Sequence, residues 1–158
     1  MDIRAFDLGD LEALQAIRAA AFAPVFTSFR EIVGADIAGI ALCNSEAEQA
    51  VLLEEIAKPN SGHELWVAVA EGAVIGFVSL KVDASVGELG LNAVRPDQTN
   101  HGVGGALYAY ALMRMKALGA SVATVGVGGD ASHAAARRAY EKAGFGPAIP
   151  SLYMYRKL

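Results

Sequence analysis

The residues best suited to chemistry stand in one short segment, Val94 to Leu107, where an apolar strand runs through a proline turn into a glycine-rich stretch. The first amides of a helix have no partner within the helix, so they can bind an anion. Gly102, Gly104 and Gly105 lack the Cβ atoms that would hold a phosphate away from those amides. The segment therefore predicts a helix start that binds phosphate groups.

Two common phosphate loops do not match this segment. A nucleoside-triphosphate loop has Lys followed by Ser or Thr after its second glycine, and Gly105-Ala106-Leu107 stands here instead. The dinucleotide-binding fingerprint fails because Leu107 occupies the place of its third glycine. A structural interpretation, in which the glycines only let a helix pack closely on a strand, stays open from the sequence.

Two motifs resemble those of the GNAT superfamily of N-acetyltransferases. The first segment is similar to that family's motif A, Val-x-Pro-x-x-(Gln/Arg)-x-x-Gly-x-Gly/Ala, at Val94, Pro96, Gly102 and Gly104. Residues 131–145, ASHAAARRAYEKAGF, resemble the family's late helix, which ends in Tyr-Glu-Lys-x-Gly-Phe. The resemblance implies transfer of the acetyl group of acetyl-CoA to a primary amine by direct attack in a ternary complex, without a metal.

The resemblance also implies which residues bind coenzyme A. Backbone amides of the loop would hold its phosphates, and an amide near Ala93 or Val94 would face the thioester oxygen. The expected binding residues are Ala93, Val94, Thr99, Asn100, His101, Gly102, Val103, Gly104, Gly105, Ala106, His133, Arg137 and Tyr140.

The chain departs from the family pattern at positions that contact the cofactor in relatives. Thr99 stands where Gln or Arg is usual, and Asn100-His101 replaces Gly followed by Lys or Arg. His133 replaces the usual Asn of the late helix. The loop thus carries less fixed positive charge, and we expect a protonated His101 to contribute charge, so that affinity falls as pH rises.

The catalytic candidates follow from three needs of the reaction. An alkyl ammonium, with a pKa near ~10.4, must lose a proton, and Glu88 is the candidate base, with a water wire or the weaker candidate Asp130 as alternatives. Strand alternation predicts that Asn92 shares the face of Glu88 and orients the acceptor or a water. Tyr140 matches the family's tyrosine and would protonate the departing thiolate, with an aromatic anchor for its helix as the less favoured alternative.

The order of apolar patterns predicts one α/β domain over residues 1–158, with a mixed sheet of six to seven strands flanked by helices. A first helix, capped by Asp7, should end at Pro24, and residues 25–59 read as further helices. The predicted strands span residues 3–6, 65–69, 74–82, 86–94, 122–127 and 152–156. Helices at residues 103–118, and from Asp130 or Ser132 to Gly144, complete the pattern.

Composition narrows the remaining possibilities. The formal net charge is −4, and no basic cluster interleaved with aromatic residues occurs, so nucleic acid is a poor partner. The three histidines lack the spacing of metal ligands, so we expect no metal site. No apolar run is long enough to span a membrane. The single cysteine is typical of a cytoplasmic protein. A non-catalytic acyl-CoA sensor is the alternative function, while the acceptor amine and a homodimer stay open.

Overall fold

The computed structural model describes residues 1–158 and contains one five-stranded sheet in the order β1-β2-β3-β4-β5. The first four strands are antiparallel neighbours, and β5 pairs with β4 in parallel, as the intervening helix predicts. The strands are β1 (Asp2–Ala5), β2 (Glu64–Ala70), β3 (Ala73–Asp83), β4 (Val86–Val94) and β5 (Val122–Val125).

Five helices flank the sheet, and short 3₁₀ turns lead from a strand into three of them. They are α1 (Leu11–Val33), α2 (Ala35–Ala41), α3 (Ser45–Ala57), α4 (Val103–Ala117) and α5 (Ala134–Lys142). One buried cluster lies between the sheet and α4 with α5, where Leu89, Leu107 and Tyr140 meet. The other joins α1 and α3 to the opposite face around Leu14 and Phe77. The sheet is therefore the middle layer of three.

Two boundaries predicted from the sequence are wrong. Pro24 does not end the first helix, because α1 continues through it to Val33 and buries Val25 and Phe26 beyond it. Burial on both sides of the proline outweighs the lost backbone hydrogen bond. The strand predicted at 152–156 does not form, and the sheet has five strands rather than six or seven. Leu152 and Met154 stay exposed, so the alternating pattern there buries nothing against the sheet.

A β-bulge in β4 changes which side chains share a face. Val78 pairs with Asn92 and Leu80 with Leu89, so two residues of β4 face the single residue Ser79. One extra residue reverses the alternation beyond it. Leu89 and Asn92 therefore both point toward α4, which places Asn92 at the centre of the site described next.

Candidate active site

The start of α4 follows β4 after the loop of residues 95–102 and carries no side-chain cap. Gly102 is the N-cap residue with a φ of 82°, a left-handed conformation that glycine adopts without strain. No side chain accepts a hydrogen bond from the first amides of the helix. Val103, Gly104 and Gly105 therefore present N–H groups, and the positive end of the helix dipole, at the carboxyl edge of the sheet.

The glycines of α4 are not needed for its packing on the sheet. A Cβ at Gly105 would meet no atom within 4 Å, and one at Gly104 would come no nearer than 3.7 Å to Val94, an ordinary contact. By contrast, a Cβ at Gly87 of β4 would lie 2.7 Å from Met115. Close packing thus explains Gly87 but not Gly104 or Gly105, which leaves the structural interpretation of the motif without support.

The last residues of β4 leave one strand edge unpaired. The pairing with β5 ends at Leu89 and Val125, so residues 90–94 have no neighbour on that side. The Arg95 N–H donates to the Ile75 carbonyl at 2.9 Å, which makes the preceding Val94–Gly76 pair a non-hydrogen-bonded one. The N–H of Val94 consequently points to the open side.

The loop between β4 and α4 uses its polar side chains locally. The Thr99 hydroxyl donates to the Pro96 carbonyl at 2.8 Å, and the Asn100 backbone is left-handed with a φ of 65°. His101 is exposed and makes no hydrogen bond within the protein. The backbone of the loop is thus shaped mainly for presenting amides.

Tyr140 of α5 lies in a small network of hydroxyl and amide groups. Its hydroxyl oxygen accepts from Asn92 Nδ2 at 3.0 Å, and the Tyr108 hydroxyl donates to Asn92 Oδ1 at 3.0 Å. The Asn92 Nδ2 group also donates to the Gly90 carbonyl at 2.8 Å, which fixes the orientation of the amide. Burial, together with the neighbouring Tyr140, raises the pKa of Tyr108, so Tyr108 stays a donor.

Tyr108 and Tyr140 both direct a hydroxyl proton at Asn92 Oδ1, whose two lone pairs can accept both. The Tyr140 hydroxyl lies 3.3 Å from the same Oδ1, a longer contact than the 3.0 Å made by Tyr108. The Tyr140 ring is only 7% exposed and packs against Tyr108 and Phe145, with centroids at 5.0 and 5.9 Å. It therefore anchors α5 and also holds a positioned hydroxyl.

Glu88 lies apart from this network. Its carboxylate pairs with Lys81 at 3.0 Å on the strand surface, and its neighbours Gly87 and Leu89 face α4. Glu88 thus points to the opposite face from Asn92, and the expectation that the two share a face is wrong. The β4 bulge is the reason, and the sequence shows only the glycine at position 90 as a sign of it.

The turn between β5 and α5 holds the other predicted residues. Asp130 caps it by accepting from the Ser132 N–H at 3.1 Å, while its other oxygen accepts from His133 Nδ1 at 2.7 Å. Arg137 Nη1 donates to the Gly128 and Asp130 carbonyls at 2.6 and 2.7 Å. His133 and Arg137 thus organise this turn, and their predicted contacts with coenzyme A stay predictions.

Burial raises the pKa of Asp130, but hydrogen bonds from Ser132, His133 and Ser28 lower it by a larger amount. The pKa of Asp130 is therefore well below its usual range. The carboxylate is accordingly ionised at neutral pH. Sequence reasoning identified Asp130 only as a cap and weak base candidate. The three-residue spacing of Asp130 and His133 is a sequence signal for their contact. No sequence signal indicates the contact of Asp130 with Ser28 of α1.

Two further structural findings bear on partners. No group of three or more His, Cys, Asp or Glu side chains is arranged to bind a metal ion. None of the helices combines the length and apolar character needed to cross a lipid bilayer.

Comparison with known proteins agrees with this architecture. The chain shares its fold with aminoglycoside 6'-N-acetyltransferase AAC(6')-IG of Acinetobacter haemolyticus, at 15% identity and a TM-score of 0.70, over 100% of this chain and 99% of that one. The PaiA N-acetyltransferase of Thermoplasma acidophilum, solved with coenzyme A, is 23% identical with a TM-score of 0.68, over 89% and 86%.

A third similar structure, aminoglycoside N-acetyltransferase AAC(6')-Iy with coenzyme A, is 17% identical with a TM-score of 0.66, over 99% of this chain and 100% of that one. No curated protein sequence matches the chain significantly. These likenesses show that the chain shares the fold of these proteins. The family model of the Acetyltransferase (GNAT) family matches residues 33–145, and the chain belongs to this family.

Proposed function

We propose that this protein is an acetyl-CoA-dependent N-acetyltransferase that acts on a primary amine of a small molecule by direct attack. The observation that carries the proposal is the start of α4, where glycines that packing does not require leave free amides beside the unpaired edge of β4. A diphosphate fits such a helix start because backbone amides bind anions whatever the net charge of the protein.

The residues present fit coenzyme A in three places. The amides of Val103, Gly104 and Gly105 would hold its phosphates, and open space at Gly105 leaves room for them. The free edge of residues 90–94 would pair with the extended pantetheine arm, and the Val94 N–H would donate to the thioester oxygen, whose negative charge grows during the reaction. Acetyl-CoA supplies an activated acetyl group when bound.

Tyr140 is the proposed acid for the departing thiolate. Asn92 Nδ2 donates to its oxygen at 3.0 Å, and the hydroxyl proton makes only a 3.3 Å contact with Asn92 Oδ1, which an incoming acceptor would replace. A hydrogen bond to the oxygen also stabilises the phenolate that remains after proton donation. Asn92 thereby has a positioning role, whereas the sequence interpretation gave it a role beside Glu88.

The test begins with calorimetric titration of acetyl-CoA into the purified protein, with NADH and ATP as controls. We expect acetyl-CoA to bind with micromolar affinity, and we expect no binding of NADH or ATP. Thiol release from acetyl-CoA is then measured against a panel of amines, starting with aminoglycosides because two similar structures are aminoglycoside acetyltransferases. Absence of acetyl-CoA binding would refute the proposal.

A non-catalytic acyl-CoA sensor is the second candidate function. The exposed Lys81–Glu88 pair favours it, since the carboxylate that the sequence suggested as the base is directed away from Tyr140. A sensor would bind acetyl-CoA but show no thiol release that any amine accelerates. An enzyme would show amine-dependent release that falls in Tyr140→Phe.

A further inference from the structure

A histidine–aspartate pair lies at the turn that follows β5, at the same edge of the sheet as the start of α4. Asp130 Oδ1 and His133 Nδ1 are 2.7 Å apart. The side chains of Asp130 and His133 are 13% and 16% exposed, so the pair is largely shielded from solvent. No hydrogen bond within the protein involves His133 Nε2, which leaves that nitrogen free for a ligand.

The surroundings of the pair hold both side chains in place. Ser28 Oγ donates to Asp130 Oδ2 at 2.8 Å, and the Ser132 hydroxyl donates to the same oxygen. The His133 ring stacks on Phe29 of α1, with centroids 5.7 Å apart and planes inclined by 24°. Helix α1 and the turn after β5 therefore fix the carboxylate and the imidazole from two sides.

Gly128 provides the space that the histidine ring occupies. A Cβ at this position would lie 2.5 Å from His133 Nδ1 and 2.8 Å from Asp130 Oδ1, too close for any side chain. Arg137 fastens the same turn through the carbonyls of Gly128 and Asp130. A simple N-cap needs neither the glycine nor the arginine, so the turn is shaped around the pair.

The contact with Asp130 determines which nitrogen of the histidine carries the proton. An ionised carboxylate accepts hydrogen bonds only, so Nδ1 must be the protonated nitrogen. In the neutral ring Nε2 then has the free lone pair of a base. Ser132 is not a nucleophile activated by this histidine, because its hydroxyl donates to Asp130.

The pair also lies on the correct side of the sheet for the proposed reaction. β4 and β5 are parallel, so their carboxyl ends reach the same edge, and their pairing stops at Leu89 and Val125. Beyond that point β4 continues to Val94 while the other chain turns toward Asp130. Helix α1 packs on both β4 and the turn at 131–133. The turn that carries the histidine therefore starts from the same edge of the sheet as the open part of β4, and α1 packs on both.

From this geometry we infer that His133 is the general base that deprotonates the acceptor amine, with Asp130 as its positioning residue. The inference rests on the proposed function. An N–H bond of the ammonium breaks and an Nε2–H bond forms, and the amine lone pair then forms the C–N bond. The second amine proton is released as that bond forms, the C–S bond of the thioester breaks, and the departing thiolate takes a proton from Tyr140, which then regains one. One proton leaves to solvent in each turnover.

The pH profile of kcat/KM, measured by thiol release with an accepted amine, tests the role of His133. Two charged groups lie next to the His133 ring or its turn: Asp130 contacts Nδ1, and Arg137 binds the carbonyls of the turn. From α1, the uncharged side chains of Ser28 and Phe29 face the pair. General-base catalysis contributes ~10² to 10⁴-fold. We therefore expect His133→Asn to lower kcat/KM at least tenfold at pH 7 and to remove the acid limb of the profile.

Two further variants make this result specific. His63→Asn replaces a histidine whose ring nitrogen contacts only the Ser61 carbonyl, and it should leave the rate and the profile unchanged. Glu88→Gln tests the competing base and should also keep the acid limb. An acid limb that persists in His133→Asn, or that disappears in Glu88→Gln, would overturn the assignment to His133.

A second measurement does not depend on any acceptor. Nitrogen-15 NMR of the histidine rings at pH 7.5 should show His133 protonated at Nδ1 and bare at Nε2, and Asp130→Asn should change this tautomer. In the separate assay with an accepted amine, the same variant should also lower kcat/KM. Protonation at Nε2 in the wild type would overturn the inference. If the wild type and His133→Asn both bind acetyl-CoA, a negative result counts against the role of His133 alone. If the wild type binds no acetyl-CoA, the proposed function itself fails.

Discussion

Two helical segments begin at the same edge of the sheet, and they begin in opposite ways. Helix α4, after β4, starts at Gly102 with no side-chain cap and three residues later still has open space at Gly105. The turn that leads into α5, after β5, is capped by Asp130, and its side chains are linked to α1. One start presents backbone to solvent, and the other surrounds a side-chain pair.

The two starts therefore suit two different chemical tasks. Free amides bind a polyanion regardless of which side chains surround them, so the first start suits a cofactor shared by a whole family. A fixed carboxylate and imidazole act on protons, which suits the chemistry on a particular acceptor. Asn92 and Tyr140 come from β4 and α5, the elements next to the two starts, and are hydrogen-bonded to each other.

The largest effect is expected from placing a carboxylate at the uncapped start. Gly105→Asp should weaken acetyl-CoA binding at least ~100-fold, because opposing like charges costs several kcal/mol. The same change should stabilise the fold by about 0.3 to 1 kcal/mol, since an acidic residue in the first turn complements the helix dipole. Calorimetric titration and thermal unfolding measure the two effects, which have opposite signs.

Gly105→Ala is the matched control for that variant. A Cβ there meets no protein atom within 4 Å, so alanine should raise stability by up to about 1 kcal/mol through helix propensity. Its effect on acetyl-CoA binding should be far smaller than that of aspartate. Equal binding by Gly105→Asp and the wild type would mean that no phosphate lies at this helix start.

The next largest effect is expected from removing the hydroxyl of Tyr140. Tyr140→Phe should lower turnover at least tenfold with little change in acetyl-CoA affinity, because the ring still packs on Tyr108 and Phe145. Tyr108→Phe removes a hydroxyl that only donates to Asn92 and should have a smaller effect. Steady-state kinetics on both variants checks this order, and unchanged turnover in Tyr140→Phe would refute the acid role.

Much of the fold could be predicted from local sequence signals. The hairpin at Glu71-Gly72, the long strand into the glycine-rich segment and the helix closed by Gly119 all form as the patterns indicate. The start of α4 was predicted from Gly102, Gly104 and Gly105, because backbone exposure depends on local residue types. These features need no knowledge of distant contacts.

What the sequence did not reveal depends on tertiary contacts. The bulge opposite Ser79 reverses the faces of Glu88 and Asn92, and strand alternation alone cannot show it. Pro24 is accepted within α1 because Val25 and Phe26 are buried beyond it. The pair of Asp130 and His133 needs Ser28, 102 positions away from Asp130 in the chain. Side-chain chemistry in this protein is thus assembled by packing.

A moderate effect on stability is expected at the capped start. Asp130→Ala should lower the free energy of unfolding by about 1 to 2 kcal/mol, the usual cost of losing an N-cap. The pKa of Asp130 is lower in the folded protein than in the unfolded chain. Its stabilisation is therefore complete above the unfolded value near ~3.9 and is lost as pH falls through the lower folded value.

Urea unfolding at several pH values checks this stability effect. The difference between wild type and Asp130→Ala should shrink below pH ~4. Asp97→Ala, which removes an exposed carboxylate paired with Arg95, should change stability by less than about 0.5 kcal/mol. A difference for Asp130→Ala that grows on acidification would contradict the assigned direction of the pKa shift.

The smallest effect is expected from restoring charge to the loop before the uncapped start. Thr99 replaces the Gln or Arg usual in the family, and its hydroxyl donates only to the Pro96 carbonyl. Thr99→Arg should tighten acetyl-CoA binding about three- to tenfold, because a partly exposed charge-assisted contact with phosphate is worth about 1 kcal/mol. The gain should shrink at high salt, whereas Thr99→Gln should gain less and depend little on salt. Binding isotherms at low and high ionic strength separate the two variants, and no gain in Thr99→Arg at low salt would contradict a phosphate within reach of this position.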